Sequence, residues 1–343
     1  MADAVANPRL GRQALRLALA GTLAFAFAEY QDWEFSFLAP MLAVQFLGAL
    51  PTGIRLGQAL AIPILLGGAS FAALIVSTYL GGNPAIMLMV VGLIVFSAFY
   101  AERSAAPAFP MALIRIAFCI IPVISTISLS TAAQFAWFLF LAGLAAALIV
   151  LVAHALLPTP AIGASAPAPV KPAIDSAVAG RIALSDTLVV LPLLLAFIIG
   201  GNINNIVILM MTLNILREVD PSRGTRIAVA LILGNVVGGI IAVAAYEFVV
   251  LTDSFLFFFL AVFIPSLWFS GRVVRGGATG AIYLVGLATF ILILGIGISP
   301  MPGASAETFT LRVLKVAIAS AYTIGALSLV RSLRRAPSVA PQT

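Results

Sequence analysis

Long apolar runs separated by short polar stretches dominate the chain. Six such runs precede residue 159, at about 10–30, 35–50, 58–79, 85–101, 111–129 and 132–156. Six more follow residue 178, at about 180–200, 204–217, 225–249, 254–270, 277–298 and 308–330. An α-helix crosses the hydrocarbon core with about 20 apolar residues. The pattern therefore predicts an all-α integral membrane protein with about 12 transmembrane helices, of which the second and the eighth are short. Pro40 either kinks or breaks the second helix, as at some transport sites, or is merely tolerated there.

A stretch rich in Pro and Ala separates the two sets of runs. Residues 159–174 read TPAIGASAPAPVKPAI, which is too polar and too rich in Pro to span a bilayer. We therefore divide the chain into a first six-helix membrane repeat at 1–158, a cytoplasmic linker at 159–178, a second six-helix membrane repeat at 179–335 and a cytoplasmic tail at 336–343.

The second set of runs repeats the pattern of the first. The segment Gly11-Arg12-Gln13-Ala14-Leu15 matches Gly180-Arg181-Ile182-Ala183-Leu184 at four of its five positions. Further along, Pro51 matches Pro221, Arg55 matches Arg226, Gly67-Gly68 matches Gly238-Gly239, and Arg103 matches Arg272. An even number of helices in each half predicts parallel repeats, related by an axis along the membrane normal. The repeat also argues against a cleaved signal peptide, because the first apolar run has a counterpart deep in the chain.

The charge distribution predicts the orientation. Hydrophobic residues make up 62% of the chain and charged residues 9%, against about 25% in soluble domains. With the N-terminus inside, the basic residues that face the cytoplasm are Arg9, Arg12, Arg16, Arg55, Arg103, Lys171, Arg181, Arg217, Arg223, Arg226, Arg272, Arg275, Arg331, Arg334 and Arg335. The opposite loops carry the acids Glu29, Asp32, Glu34, Asp253 and Glu307. We therefore expect a multi-pass protein of the bacterial inner membrane with both termini in the cytoplasm. The net charge of +6 reflects topology and predicts no nucleic-acid partner.

Enzymatic chemistry finds little support in the residue types. The chain has one Cys, Cys119, and one His, His154, which excludes a disulfide framework and a thiolate metal site. No Walker motif and no nucleophile with a plausible base is present. We expect no catalytic residue, metal or cofactor.

Arg312 and Lys315 are the first candidates for substrate binding. They lie in the outer half of the last helix, and a spacing of three puts them on one face. The aligned part of the sixth helix is apolar, so the repeat does not require charge here. Two interpretations stay open: a site for an anionic substrate, and snorkelling of both side chains to the outer headgroups.

Three further polar residues inside predicted helices are candidates. Arg115, one turn into the fifth helix, either snorkels or contacts a phosphate, or it receives an anion at the cytoplasmic entry. Asp186 either carries a coupling proton, because burial favours the neutral acid, or acts as a structural counter-ion for Arg16 or Arg115. Asn214 either bonds a neighbouring helix or faces the substrate.

Two short motifs resemble a transporter family. The segment Arg12-Gln13-Ala14-Leu15-Arg16 before an apolar helix, and Phe37-Leu38-Ala39-Pro40 in the next helix, are similar to the fusaric acid resistance and aromatic acid exporter superfamily, and most to its compact bacterial branch. The resemblance implies export of aromatic carboxylic acids together with a periplasmic adaptor of the membrane-fusion type. The larger members carry a sizeable cytoplasmic domain between their membrane halves, where this chain has only the linker.

We therefore expect an inner-membrane secondary transporter that exports small organic anions, in particular aromatic ones. An inside-negative potential favours the exit of an anion by about 2.3 kcal/mol per charge per 100 mV, and proton antiport through Asp186 or through the outer carboxylates would add to this. Its partners would be the lipid bilayer, the substrate, the adaptor and further copies of the chain. The alternative is a non-transporting membrane subunit that anchors or assembles an envelope complex. A passive channel is the third hypothesis.

Overall fold

Helices account for nearly all of the chain that can be described. The computed structural model describes residues 8–50, 56–104, 106–158, 175–200, 206–218, 225–252, 254–299 and 309–334. Within these ranges there are twelve helices and no strand: α1 Pro8–Tyr30, α2 Leu38–Ala49, α3 Leu56–Leu80, α4 Pro84–Arg103, α5 Ala108–Ser125, α6 Leu129–Leu156, α7 Ser176–Gly200, α8 Ile206–Glu218, α9 Thr225–Leu251, α10 Phe255–Val273, α11 Gly277–Ile298 and α12 Phe309–Arg334. The prediction of an all-α protein is confirmed.

Eight helical segments in the described ranges are long and apolar enough to cross a bilayer. They are Leu56–Leu80, Pro84–Arg103, Ala108–Ser125, Leu129–Leu156, Ser176–Gly200, Leu233–Leu251, Phe255–Val273 and Thr279–Ile298. The chain is therefore a multi-pass helical membrane protein. Residues 159–174 of the predicted linker 159–178 and the predicted tail 336–343 lie outside the described residues, and α7 begins at Ser176, within the predicted linker.

The short helix α2 lies in the centre of the bundle. It has 12 residues, which at 1.5 Å each gives about 18 Å, less than the thickness of the hydrocarbon core. Its residues from Leu38 to Leu47 are all buried. Pro40 lies in the first turn, where a missing backbone N–H costs no helical hydrogen bond. Of the two interpretations of Pro40, an interruption of the helix is therefore wrong, and a proline tolerated in the first turn agrees with the structure.

Local sequence signals explain where two of the long helices begin. The Asn83 side chain accepts a hydrogen bond from the Ile86 N–H at 3.3 Å, and Pro84 occupies the first turn of α4. The Ser128 hydroxyl accepts from the Thr131 N–H at 3.2 Å at the start of α6. Proline and side-chain caps therefore fix the starts of α4 and α6.

Helices on either side of the linker pack together through two main contacts. Helix α1 packs against α10, and α4 packs against α7. Before the linker, α3 packs against α5 and α6, and α2 packs against α6. After the linker, α9 packs against α11 and α12, and α8 packs against α12. Each contact before the linker thus has a counterpart after it.

Glycines allow a close approach at some of these contacts. A Cβ on Gly238 of α9 would overlap the carbonyl oxygen of Gly286 on α11, and a Cβ on Gly67 of α3 would lie 2.6 Å from the Phe140 ring on α6. Gly68 has open space around its α-carbon. Only the first glycine of the Gly67-Gly68 pair therefore serves packing.

Candidate functional site

Four charged side chains meet where α4, α5 and α7 pack together. Glu102 and Arg103 end α4, Arg115 lies in α5 and Asp186 lies in α7. Arg103 Nη2 donates to Asp186 Oδ2 at 2.8 Å, and Arg115 Nη1 donates to Glu102 Oε2. We call these four residues the charge cluster. It contains two cations and two carboxylates, so its formal charge is zero.

Helix geometry directs the two neighbouring residues of α4 to different partners. Consecutive residues of an α-helix are about 100° apart, so Glu102 and Arg103 point away from each other. Glu102 is buried against α5, where it meets Arg115. Arg103 reaches α7 and pairs with Asp186. The last turn of α4 therefore binds one helix before the linker and one after it.

Arg115 is the most deeply buried charge of the cluster. Its side chain is 1% exposed, and its guanidinium lies 4.3 Å from the centroid of the Phe99 ring. A buried cation requires a close counter-charge to offset the lost hydration, and Glu102, itself buried, supplies it. Its Nη2 has no hydrogen-bond partner. Arg115 is therefore closely packed, with its charge met by Glu102 and an aromatic ring against its guanidinium.

Arg103 is only partly engaged by Asp186. Its side chain is 17% exposed, and the contact with Asp186 uses Nη2 alone. The Nε atom of Arg103 is buried and has no partner. Nε and Nη2 form one side of the guanidinium fork, the side that can bind both oxygens of one carboxylate. Of the two nitrogens on this side, Nη2 therefore binds a carboxylate oxygen and Nε does not.

Asp186 has a different counter-ion from the two expected. Its side chain is 5% exposed and pairs with Arg103, whereas the sequence pointed to Arg16 or Arg115. Arg16 donates instead to the Leu157 carbonyl oxygen at 3.4 Å. In the sequence, Arg103 was interpreted only as a repeated basic residue that faces the cytoplasm and sets the membrane orientation. The signal that could have found it is the acid–base pair Glu102-Arg103 at the end of an apolar helix, together with two helix-buried charges at Arg115 and Asp186.

At the contact between α1 and α10, the counterparts of Arg103 and Asp186 form no ion pair within the described residues. Arg272, the sequence counterpart of Arg103, lies 3.7 Å from the Trp268 ring centroid and donates to the Trp268 carbonyl oxygen at 3.1 Å. Leu17, the counterpart of Asp186, is buried and apolar. The ring centroids of Phe25 and Phe258 lie 5.3 Å apart in the same contact. Apolar and aromatic packing at this contact therefore takes the place of the ion pair that Arg103 and Asp186 form between α4 and α7.

The other three predicted site residues are Lys315, which lies in α12 and outside the charge cluster, and Arg312 and Asn214, whose side chains are not among those described. Lys315 is half-buried in α12, whose Tyr322 donates to the Val189 carbonyl oxygen of α7 at 3.0 Å. The side chains of Arg312 and Asn214 lie outside the described residues. Of the five predicted residues, the structure brings together Arg115 and Asp186.

Two pairs of neutral polar side chains, in helices that come after the linker, were not predicted from the sequence. Thr323 Oγ1 of α12 lies 3.1 Å from Thr212 Oγ1 of α8, and Thr289 Oγ1 of α11 lies within hydrogen-bonding distance of Asn235 Oδ1 of α9. All four side chains are fully buried. Single Thr residues in apolar helices carry little signal, because their hydroxyls can also bond the carbonyl four residues earlier, as Thr323 and Thr289 do.

Comparison with known proteins gives one partial match. A family model described as "Protein of unknown function (DUF2955)" matches residues 13–153, a segment that begins in α1 and ends in α6. No curated protein and no solved structure matches the chain. The description of the family names no activity and does not connect it to the fusaric acid resistance superfamily. Within the described residues, no group of three or more His, Cys, Asp or Glu could hold a metal ion.

Proposed function

We propose that the chain is a secondary transporter of the bacterial inner membrane that exports small organic anions, in particular aromatic carboxylates. The observation that carries this proposal is the charge cluster. Ionisable residues within membrane helices are costly, and they commonly mark substrate or ion pathways. Here they join α4 and α7, one helix from each side of the linker.

The proposed architecture is two parallel six-helix repeats whose relative movement alternates access to a central site. Its support is the matched packing: α4 against α7 corresponds to α1 against α10, and α3 against α6 corresponds to α9 against α12. The family match to residues 13–153 falls within the first of these proposed repeats. All twelve helices would cross or enter the bilayer, the short α2 and α8 included.

The proposed orientation places both termini and the charge cluster on the cytoplasmic side. In this orientation Arg9 and Arg12 at the start of α1, Arg181 at the start of α7 and Arg103 at the end of α4 would face the cytoplasm. Reporter fusions within 159–174 and after residue 334 should both report a cytoplasmic location. A periplasmic location of the linker fusion would contradict the orientation and the proposed repeat.

Export is tested in a strain that lacks the gene. Such a strain should accumulate one or more aromatic acids from a panel and grow less well in their presence, and the intact gene should reverse both effects. The matched control is a gene encoding Arg103→Gln, which should be inserted in the membrane without restoring efflux. Equal tolerance and equal accumulation for every compound, with and without the gene, would remove export from consideration.

The outer end of α12 supplies a second test. We expect Arg312→Ala and Lys315→Ala to abolish efflux and to leave the amount of protein in the membrane unchanged, because the two cations would bind the anion on its way out. Leu311→Ala and Leu314→Ala, at exposed apolar positions of the same turns, are the matched controls. If both charge variants export as well as the unaltered chain, Arg312 and Lys315 do not bind the substrate, and their role is to anchor α12 at the lipid headgroups.

Passage through the whole envelope requires a partner in this proposal. The polar stretches between the apolar runs that would face the periplasm are short, so we propose a membrane-fusion adaptor as the partner. Affinity purification of the tagged chain from membranes should recover such an adaptor. Purification of the chain with copies of itself alone would exclude a stable adaptor complex.

A further inference from the structure

We propose that Arg103 is a carboxylate-binding residue: the carboxylate of the substrate binds Nε and Nη2 of Arg103, displaces Asp186 and so releases α4 from α7. This inference rests on the proposed function, because it assumes that the substrate carries a carboxylate. It adds a binding residue and the step that couples binding to movement.

The geometry of Arg103 makes the exchange favourable. Asp186 accepts one hydrogen bond, from Nη2 at 2.8 Å, while the buried Nε has no partner. A free carboxylate is not tied to a helix and can face the fork with both oxygens. It then accepts two parallel charge-assisted hydrogen bonds, the strongest arrangement available to a guanidinium. The incoming anion therefore makes one bond more than the residue that it replaces.

The charge balance of the cluster links this exchange to movement. With Glu102 held by Arg115, the cluster is neutral only while one carboxylate faces Arg103. A substrate carboxylate on Arg103 leaves Asp186 as an extra buried anion, which is costly without hydration. Asp186 regains hydration when α7 moves away from α4 and water enters. Binding of the anion and opening of this contact are therefore coupled.

The other main contact between the two sides of the linker, α1 against α10, has no ion pair at the equivalent positions. At the α1–α10 contact, Arg272 stacks on Trp268 of its own helix, and the counterpart of Asp186 is the apolar residue Leu17. Neither Arg272 nor Leu17 forms an ion pair in the described residues, so an arriving anion has no such pair to exchange at these positions. We therefore expect α4 and α7 to separate while α1 and α10 stay together.

A single-cysteine labelling experiment tests this asymmetry. The native Cys119 is first replaced by Ala. Thr187→Cys then reports on the α4–α7 contact, since Thr187 is 2% exposed and shares a helix face with Gly180 and Leu191, both of which lie against α4. The matched control is Ala18→Cys, the counterpart of Thr187 in α1, which is fully buried.

The probe is benzoate, with benzamide as its neutral analogue, added to the purified full-length protein. Benzoate should raise the rate at which a maleimide labels Thr187→Cys by roughly tenfold or more, while benzamide has no effect. The rate at Ala18→Cys should not change. Labelling of Thr187→Cys that does not respond to benzoate, or an equal rise at both positions, overturns the proposal.

Two further variants separate binding from folding. Arg103→Lys keeps the charge and one bond to Asp186 but lacks the fork, so benzoate should stabilise it against heat much less than the unaltered chain. Asp186→Asn removes the competitor, so benzoate should bind roughly tenfold more tightly. Unchanged benzoate binding in both variants contradicts the role of Arg103. Because these measurements do not require flux, a chain that binds benzoate in this way without exporting it overturns only the proposed function.

Discussion

The pair formed by Arg115 and Glu102 offers a direct test of how charge is held inside this bundle. The change is Glu102→Gln, which keeps the size of the side chain and removes its negative charge. Arg115, with 1% of its side chain exposed, then has no paired carboxylate. Phe99 still lies against the guanidinium at 4.3 Å, but an aromatic face replaces only part of the lost interaction.

The expected cost follows from the burial of both partners. Removing one member of a buried ion pair costs about 3–5 kcal/mol, because an uncompensated charge stays in a medium of low dielectric. Replacing both members by neutral side chains often changes stability little. We therefore expect Glu102→Gln alone to lower the free energy of unfolding by about 3–5 kcal/mol, and Glu102→Gln combined with Arg115→Met to restore all but about 1 kcal/mol.

The measurement is reversible unfolding of the purified protein in mixed micelles with increasing SDS. The matched control is Arg272→Met, because Arg272 stacks on the half-exposed Trp268 and has no carboxylate partner in the described contacts. That change should cost about 0.5–1 kcal/mol.

Two results would refute this reasoning. A cost below about 1 kcal/mol for Glu102→Gln means that water reaches Arg115 and that the cluster is not dry. A double variant as unstable as the sum of the two single variants means that the two residues do not interact in the folded protein.

Three other predictions concern packing. Gly238→Ala should lower the free energy of unfolding by about 1–3 kcal/mol through overpacking, whereas Gly68→Ala, in open space, should be neutral in the same SDS titration. Thr323→Val should cost about 0.6 kcal/mol and at most about 1.7, since it removes one buried interhelical bond, and combining it with Thr212→Val should add little if that bond is the cause. Cys119 is fully buried, so a maleimide should label it only after denaturation, and labelling of the folded protein would contradict the burial.

The sequence predicted the helices well because their signal is long and local. Runs of about 20 apolar residues have few alternative structures in a bilayer, so the helical class and the membrane location follow from hydropathy alone. The position of Pro40 within α2 could not be predicted in this way. The sequence suggested a break at Pro40, but the helix begins only two residues earlier, at Leu38, so the proline falls in the first turn.

The candidate site was predicted only in part, because pairing between distant helices leaves no local signal. Arg115 and Asp186 stood out as charges inside apolar runs, and the structure brings them into one cluster. Their partners, Glu102 and Arg103, lie at a helix end, where a charge is expected for topology alone. Which arginine meets Asp186 depends on the packing of α4 against α7, which is a contact 83 residues apart in the chain.

The division of the charge cluster between the two sides of the linker has a consequence for synthesis. The part of the cluster made first, Glu102, Arg103 and Arg115, carries one excess positive charge until Asp186 is made. During translation Arg103 must therefore stay near water or headgroups, and α4 cannot settle fully until α7 enters the membrane. The ion pair thus gives the nascent halves an electrostatic means of recognising each other. If residues 8–156 and 175–334 were produced as two chains, this attraction would help them to assemble in the correct register.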